Sequence, residues 1–264
     1  MTEEKRFLVD VGIKGLPFPI RAISKINPDG QHTIAGITIN ARIMHEFEAR
    51  WIDKFIQIVH SHRERIGPKT LRVNIMDYLK GLNATMVKID FDYPFFIEKL
   101  TPVSKERCLV SYQCSYSIKV SLVQETPKAI FKMKIPAITS YPASKPEDLK
   151  GLFGQLSIMD IEIESQKDIY PEDLVEIVNR HSLSPIYSFL TEEDQSFIIQ
   201  KIHSEKKTSV ATIDEIKDEL AHNRNIELYQ IRCSNFGMLH PYSTVIGTEK
   251  SAWVPFSSYE EYEI

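Results

Sequence analysis

No window of this 264-residue chain approaches the roughly 20 consecutive apolar residues that a membrane-spanning helix needs. The start, Met1-Thr-Glu-Glu-Lys-Arg6, is charged and leads into no apolar leader core, so the expected location is cytoplasmic, with no membrane partner. Cysteine is scarce: Cys108, Cys114 and Cys233 neither pair evenly nor approach a Cys-x-x-Cys ligand spacing. Basic charge is not in excess, with Lys+Arg 32 against Asp+Glu 36 and a net charge of -4, so nothing draws the chain generally to nucleic acid. Local basic groups such as Arg63-Glu-Arg65 and Lys206-Lys207 are short and mixed with acids. A Gly-rich phosphate cradle is also missing.

What is present is ample apolar material. At 42% apolar residues over this length, the chain can bury a substantial core as one large domain or two small modules. Ile37, Ile39, Ala41 and Ile43 alternate with polar or small residues and predict a half-buried strand opening near Gly30. Phe47, Trp51, Phe55, Ile58, Val59 and His62 then recur at helical spacing, in a helix expected to stop before Gly67-Pro68. A second helix is predicted over about 70–82, on the stripe Leu71, Ile75, Tyr78 and Leu79. Two strands follow, over 87–93 and 112–122. Cys114 falls on the apolar phase of the latter and reads as a small buried thiol, as does Cys233 beside Tyr229 and Ile231. Strand, paired helices and antiparallel strands together define an α+β module with helices on one sheet face.

The second half repeats this order. Strands are expected over 130–135 and 156–163, helices over 170–180, 192–203 and 213–221, and a strand over 226–233, with the structure of the tail from Tyr242 left open. Pro171 and the Glu172/Asp173 pair suit a helix N-terminus. Two modules are therefore expected, 1–125 and 126–264, joined near Gln124–Lys128.

Between the apolar segment 134–138 and the alternating run 158–163 lies a polar excursion, Thr139-Ser-Tyr-Pro-Ala-Ser-Lys-Pro-Glu-Asp-Leu-Lys-Gly-Leu-Phe-Gly-Gln-Leu156, the kind of place where a sheet protein keeps its chemistry. This stretch resembles the type IB GTP cyclohydrolases, zinc enzymes of the tunnelling fold that open the imidazole ring of GTP. Their loop reads Thr-Ser-Leu-Cys-Pro-Cys-Ser-Lys, then Gly-Ala-His-Asn-Gln-Arg, and Thr139, Ser140, Pro142, Ser144, Lys145, Gly151 and Gln155 fall into place. Val9-Asp-Val-Gly-Ile-Lys-Gly15, Gly30-Gln-His-Thr33, Thr101-Pro-Val-Ser104, Ser184-Pro-Ile-Tyr187 and Asn235-Phe-Gly-Met-Leu-His-Pro241 extend the resemblance over about residues 8–246. It implies a tunnelling fold of two modules.

The resemblance also implies a metal site, and there the chain departs from the pattern. The family's Cys, His and Glu ligands fall at Tyr141, Phe153 and Gln195, and its proton-handling Glu falls at Gly237 while His240 is kept. Asp214 or Glu215 lies where a Glu anchors the guanine edge. The family's substrate-contacting His and Arg fall at Trp51 and Lys54. The candidate set is thus His240 as a catalytic residue, Tyr141, Phe153, Asp214, Glu215, Gln155 and Lys145 around a ligand, and no metal or other cofactor. His240 equally reads as an end-of-strand histidine, Asp214 as a helix N-terminal charge, and the two aromatics as core filling.

Three functional readings stand side by side. One is a diverged protein that does not hydrolyse GTP, either a pseudoenzyme partner of an active homologue or a binder of a purine- or pterin-like heterocycle at a subunit interface. The second is an active cyclohydrolase of the pterin and folate pathway. The third is an enzyme with metal-independent chemistry on a related heterocycle. In each a closed homo-oligomer is expected, because the sheets of this fold expose edges.

Overall fold

The structure, a computed structural model, describes residues 9–43, 50–123, 126–142, 152–165 and 167–251. Its strands are β1 (Val9–Ala22), β2 (Gln31–Ile43), β3 (Ala84–Leu100), β4 (Arg107–Ser121), β5 (Lys128–Ser140), β6 (Gly154–Ser165), β7 (Ser184–Pro185), β8 (Ile226–Phe236) and β9 (Thr244–Lys250). The helices are α1 (Arg50–His62), α2 (Pro68–Gly81), α3 (Pro171–His181), α4 (Glu192–Ser204) and α5 (Ser209–His222). Strand neighbours run β1-β2-β3-β4-β5-β6-β8-β9, with β7 attached to β5. Apart from β6/β8 and β5/β7 the paired strands are neighbours in the chain, and the pairing is antiparallel at β1/β2, β2/β3, β5/β7 and β8/β9. The chain is an α+β protein whose antiparallel sheet is covered by helices. Among the described residues no helix is long and apolar enough to cross a membrane.

Two compact units divide the chain: Met1–Ile97, Ser111–Met133 and Ser165–Leu174 in the first, and Glu98–Val110, Lys134–Glu164 and Val175–Ile264 in the second. In the first, strict alternation drives Ile37, Ile39, Val87, Ile89, Tyr93, Tyr116 and Ile118 inside. Val59 of α1 and Leu71, Ile75 and Tyr78 of α2 close over Ile20, Ile89, Phe91 and Ile118. Tyr116 stacks on Phe131 at 4.6 Å and on Tyr93 at 6.1 Å, a cross-strand aromatic ladder on fully buried positions. Burial pushes the Tyr93 and Tyr116 phenols well above their ordinary range. The start of α3 is anchored here: Glu172 accepts from Ser24 Oγ and the Lys25 amide, and Asp173 pairs with the Lys25 amine.

In the second unit Val175 and Val178 of α3 and Ile213, Ile216 and Leu220 of α5 are buried, as are Met159, Ile161 and Ile163 of β6 and Ile231 of β8. Cys233 is fully buried, as Cys114 is in the first unit. Thr191 and Thr208 cap α4 and α5, each accepting a backbone N–H three residues on.

Element bounds differ from the sequence reading for physical reasons. α2 begins at Pro68, because a proline at the first helical position already has a helical φ and lacks only a donor that would go unused there. β3 runs past Tyr93 because Phe95 and Ile97 continue the buried phase beyond Pro94. The two outermost strands, β1 and β9, were not predicted. β1 carries Pro17 and Pro19 and a register shift between Ile13 and Leu16, where Gly15 adopts φ +66°, so its pattern is broken. β9 has only half-exposed and exposed residues and so no apolar alternation to read. Within the expected module junction, residues 124 and 125 lie outside the described residues.

Candidate functional site

In the second unit the buried phase of three neighbouring strands changes from apolar to polar at one end. Thr139 and Ser140 end β5, Gln155 and Ser157 lie near the start of β6, and Asn235 is the last residue but one of β8; all five are at most 5% exposed. Buried polar groups need partners, and these supply one another. Gln155 Nε2 donates to Thr139 Oγ1 at 3.2 Å and reaches the Ser140 carbonyl at 3.5 Å. Thr139 and Ser157 hydroxyls meet at 2.7 Å. Ser157 Oγ donates to Asn235 Oδ1 at 2.7 Å, and the Cys233 thiol donates to the same oxygen at 3.2 Å. Since Ser157 gives its proton to Asn235, Thr139 must donate to Ser157, and the chain runs in one direction from Gln155 to Asn235. Burial pushes the Cys233 thiol up to about 11, against a lowering bond with Ser157, so it stays protonated and able to donate at neutral pH.

Tyr141 follows directly on this cluster. Its amide donates to the Phe153 carbonyl at 2.8 Å, which sets the two aromatic positions opposite each other. A Cβ on Gly237 would lie 2.7 Å from Tyr141 Cε2 and 3.8 Å from Gln155 Oε1. Tyr141, Phe153, Gln155 and Gly237 are therefore brought together, and Phe153 remains 41% exposed.

The other expected residues are placed elsewhere. His240 is exposed in the turn between β8 and β9 and stacks on Tyr242 at 4.9 Å. Asp214 pairs with Lys217 on the same helix at 2.9 Å. Glu215 is held by the Lys207 amine and by His181 Nδ1 at 2.9 Å, bonds that keep its carboxyl below the usual range. The Lys207 backbone in turn bonds Ser140, so Glu215 is linked to the cluster through Lys207. Lys145 lies outside the described residues.

Gln195 is exposed on the first turn of α4 and donates to the Leu190 carbonyl at 3.3 Å. The buried acid there is its neighbour Asp194, which accepts from the amides of Val103 and Ser104, from Ser104 Oγ, and from both the amide and the hydroxyl of Thr191. Nearby in the chain, burial pushes the Lys99 amine, which lies over the Tyr187 ring, down to about 8.

Zinc takes thiolate, imidazole or carboxylate donors. Phe153 offers none, Tyr141 is a phenol with a reference pKa of about 10, and Gln195 is a neutral amide engaged with Leu190. Among the described residues no three His, Cys, Asp or Glu side chains group so as to hold a metal ion. The residues at the three positions do not fit a zinc centre.

Comparison with solved structures places the fold among the urate oxidases. A hyperthermostable mutant of Bacillus sp. TB-90 urate oxidase matches with a TM-score of 0.56 at 8% identity, covering 92% of this chain and 98% of that one. A uricase from Bacillus fastidious matches with a TM-score of 0.56 at 9% identity, over 92% and 93%. At these identities the likeness is one of fold. The sequence match is more specific: residues 2–245 match the family described as Type I GTP cyclohydrolase folE2, and the chain belongs to that family. Among curated relatives, GTP cyclohydrolase FolE2 of Citrifermentans bemidjiense is 28% identical over 91% of this chain and 89% of its own length. That of Geotalea uraniireducens is 29% identical over 91% and 87%.

Ser157, Asn235 and Asp194 were not singled out from sequence as parts of a site, and Gly237 was noted only as the position of the family's missing proton-handling Glu. For Ser157 and Asn235 the signal was present, as polar residues on the buried phase of strands. For the contact of Gly237 with Tyr141 it was not, because the ring is far away in the chain.

Proposed function

We propose that this chain recognises a purine nucleotide or a pterin-like heterocycle and does not hydrolyse GTP through a zinc centre at positions 141, 153 and 195. The substrate class is supported by the names of its relatives. The absence of zinc hydrolysis is supported by donor chemistry, since a phenol, a phenyl ring and a neutral amide stand where anionic or imidazole ligands are required. The observation that carries the reading is the Tyr141 ring, whose edge takes up the space a side chain at position 237 would need.

A second reading is favoured by the comparisons, which support it more directly. Relatives named GTP cyclohydrolase match over 91% of this chain, so GTP hydrolysis, with a metal held by residues other than these three, is the reading kinship alone favours. One experiment separates the two: metal analysis of protein purified with added zinc, run beside a fluorimetric assay for pterin products from GTP. The first reading expects far less than one zinc per chain and no product above the no-enzyme rate. About one zinc per chain, lost together with turnover on chelation, establishes the second.

For either reading we expect a closed homo-oligomer in the cytoplasm, alone or with an active homologue. β9 offers an outer edge without proline, and such edges are protected by continuing the sheet into another copy. Solution mass by light scattering checks this, and a stable monomer at micromolar concentration refutes it.

A further inference from the structure

We propose that Tyr141 and Gly237 are a mutually dependent pair and that, with Gln155, they form a metal-free half-site for a flat heterocycle bearing N–H donors along one edge. The inference rests on the substrate class proposed above and adds the groups that would recognise it.

The first part is steric. With a Cβ at 237 only 2.7 Å from Tyr141 Cε2, any side chain there forces the ring to turn away, since carbons of separate residues do not approach so closely. Glycine at 237 is the condition for the ring's position. A carboxylate side chain at 237 and this ring placement exclude each other, so the departures at 141 and 237 amount to one change in the site.

The second part is electrostatic. Gln155 is 5% exposed, and its Nε2 is committed to Thr139 Oγ1 and the Ser140 carbonyl. The Ser140 carbonyl can only accept, which fixes the amide with Nε2 on that side and Oε1 on the other. Oε1 accepts no hydrogen bond among the described residues and lies beside Gly237, 3.8 Å from where a Cβ would be. Oε1 is not one of the buried polar atoms that lack a partner, so it keeps contact with solvent and is free to accept from a ligand. The relay from Gln155 through Thr139 and Ser157 to Asn235 is polarised in one direction, so an N–H given to Oε1 strengthens every bond behind it. The half-exposed Tyr141 ring supplies the apolar face on which such a heterocycle stacks. Guanine and pterin rings both present an N–H and amine edge of this kind.

Two measurements test the pair and the half-site. Thermal midpoints of Gly237→Ala, Tyr141→Ala and the double variant form a cycle. Gly237→Ala is expected to lower the midpoint when Tyr141 is present and to leave it unchanged in the Tyr141→Ala background; an equal effect in both backgrounds overturns the pairing. Guanosine and pterin are then titrated into the full chain with EDTA present. Wild type is expected to bind at least one of them, Gln155→Met to weaken that binding about tenfold, and Tyr141→Ala to weaken it several-fold. The thermal midpoint of each variant reports that it is folded. If wild type binds but Gln155→Met and Tyr141→Ala bind equally well, the half-site is overturned and the heterocycle reading stands. If wild type binds neither probe, both fall.

Discussion

Asp194→Ala is expected to lower the thermal midpoint of the protein by roughly 10 °C and to release the turn at residues 102–104. Asp194 is fully buried, yet it has an acceptor's complete set of partners. One oxygen takes the amides of Val103 and Ser104 at 2.8 and 3.0 Å, and the other takes Ser104 Oγ at 2.6 Å and the Thr191 hydroxyl at 2.7 Å and amide at 3.1 Å. It thus closes the capping box of α4 and ties that helix to the turn before β4 in a single carboxylate. Alanine leaves three backbone N–H groups, those of Val103, Ser104 and Thr191, without this acceptor. Asp194→Asn is expected to be nearly as harmful, because its NH2 must face either the Thr191 amide or those of Val103 and Ser104.

The pH dependence follows from the same bonds. Burial alone would raise the carboxyl, but the bonds from Ser104, Thr191 and Val103 outweigh it and hold Asp194 far below the usual carboxylate range. A depressed folded-state pKa contributes stability that is fully present above the unfolded value of about 3.9 and is lost as pH falls below it toward the folded value. Wild type should therefore lose stability steeply on acidification below about pH 4, and Asp194→Asn should be destabilised at neutral pH with a shallower slope in acid. Urea midpoints from pH 7 down to 3 check both. Parallel acid slopes in the two proteins would remove Asp194 from this role.

The fold was legible wherever one period dominated. The alternation of Tyr112 to Val120 and the stripe of Leu71, Ile75 and Tyr78 each admit one buried face, and those faces are the ones buried. Legibility failed at β1 and β9, where a strand pairs on one side only and need not alternate. At the site, the loop from Thr139 pointed to the right place but not to all the right residues. Tyr141, Phe153 and Gln155 lie together because β5 and β6 are neighbours, which the chain order foretold. Asp214 and Glu215 sit on α5 with basic partners of their own, Lys217 for one and Lys207 with His181 for the other. Position 195 shows how a one-residue register matters: the exposed Gln195 holds only the Leu190 carbonyl, while the adjacent Asp194 joins the helix to the turn.

Asn235→Ala is expected to cost about 2–4 kcal/mol and to disturb the site from its far side. The amide oxygen of Asn235 is the terminal acceptor of the relay and takes both Ser157 Oγ and the Cys233 thiol. Its Nδ2 reaches Thr244 Oγ1 at 3.5 Å across to β9. With alanine there, Ser157 must find another acceptor, and the hydroxyl it already meets is that of Thr139, which then has to reverse its own bond. That reversal leaves the Thr139 hydroxyl proton without an acceptor and Ser157 with an unused lone pair, so the order of the relay is lost back to Gln155. The loss should depend on Ser157: in a Ser157→Ala background the Asn235 oxygen has already lost its stronger donor, so the double variant is expected to cost clearly less than the two single changes added together. Urea unfolding of the four proteins at pH 7 measures this coupling, and strict additivity would show that Ser157 and Asn235 act independently. Hydrogen exchange over residues 237–243 adds the structural readout. Protection of the turn carrying Gly237 and His240 should fall in Asn235→Ala and not in Ser157→Ala, because of the two only Asn235 is bonded both to the relay and to β9.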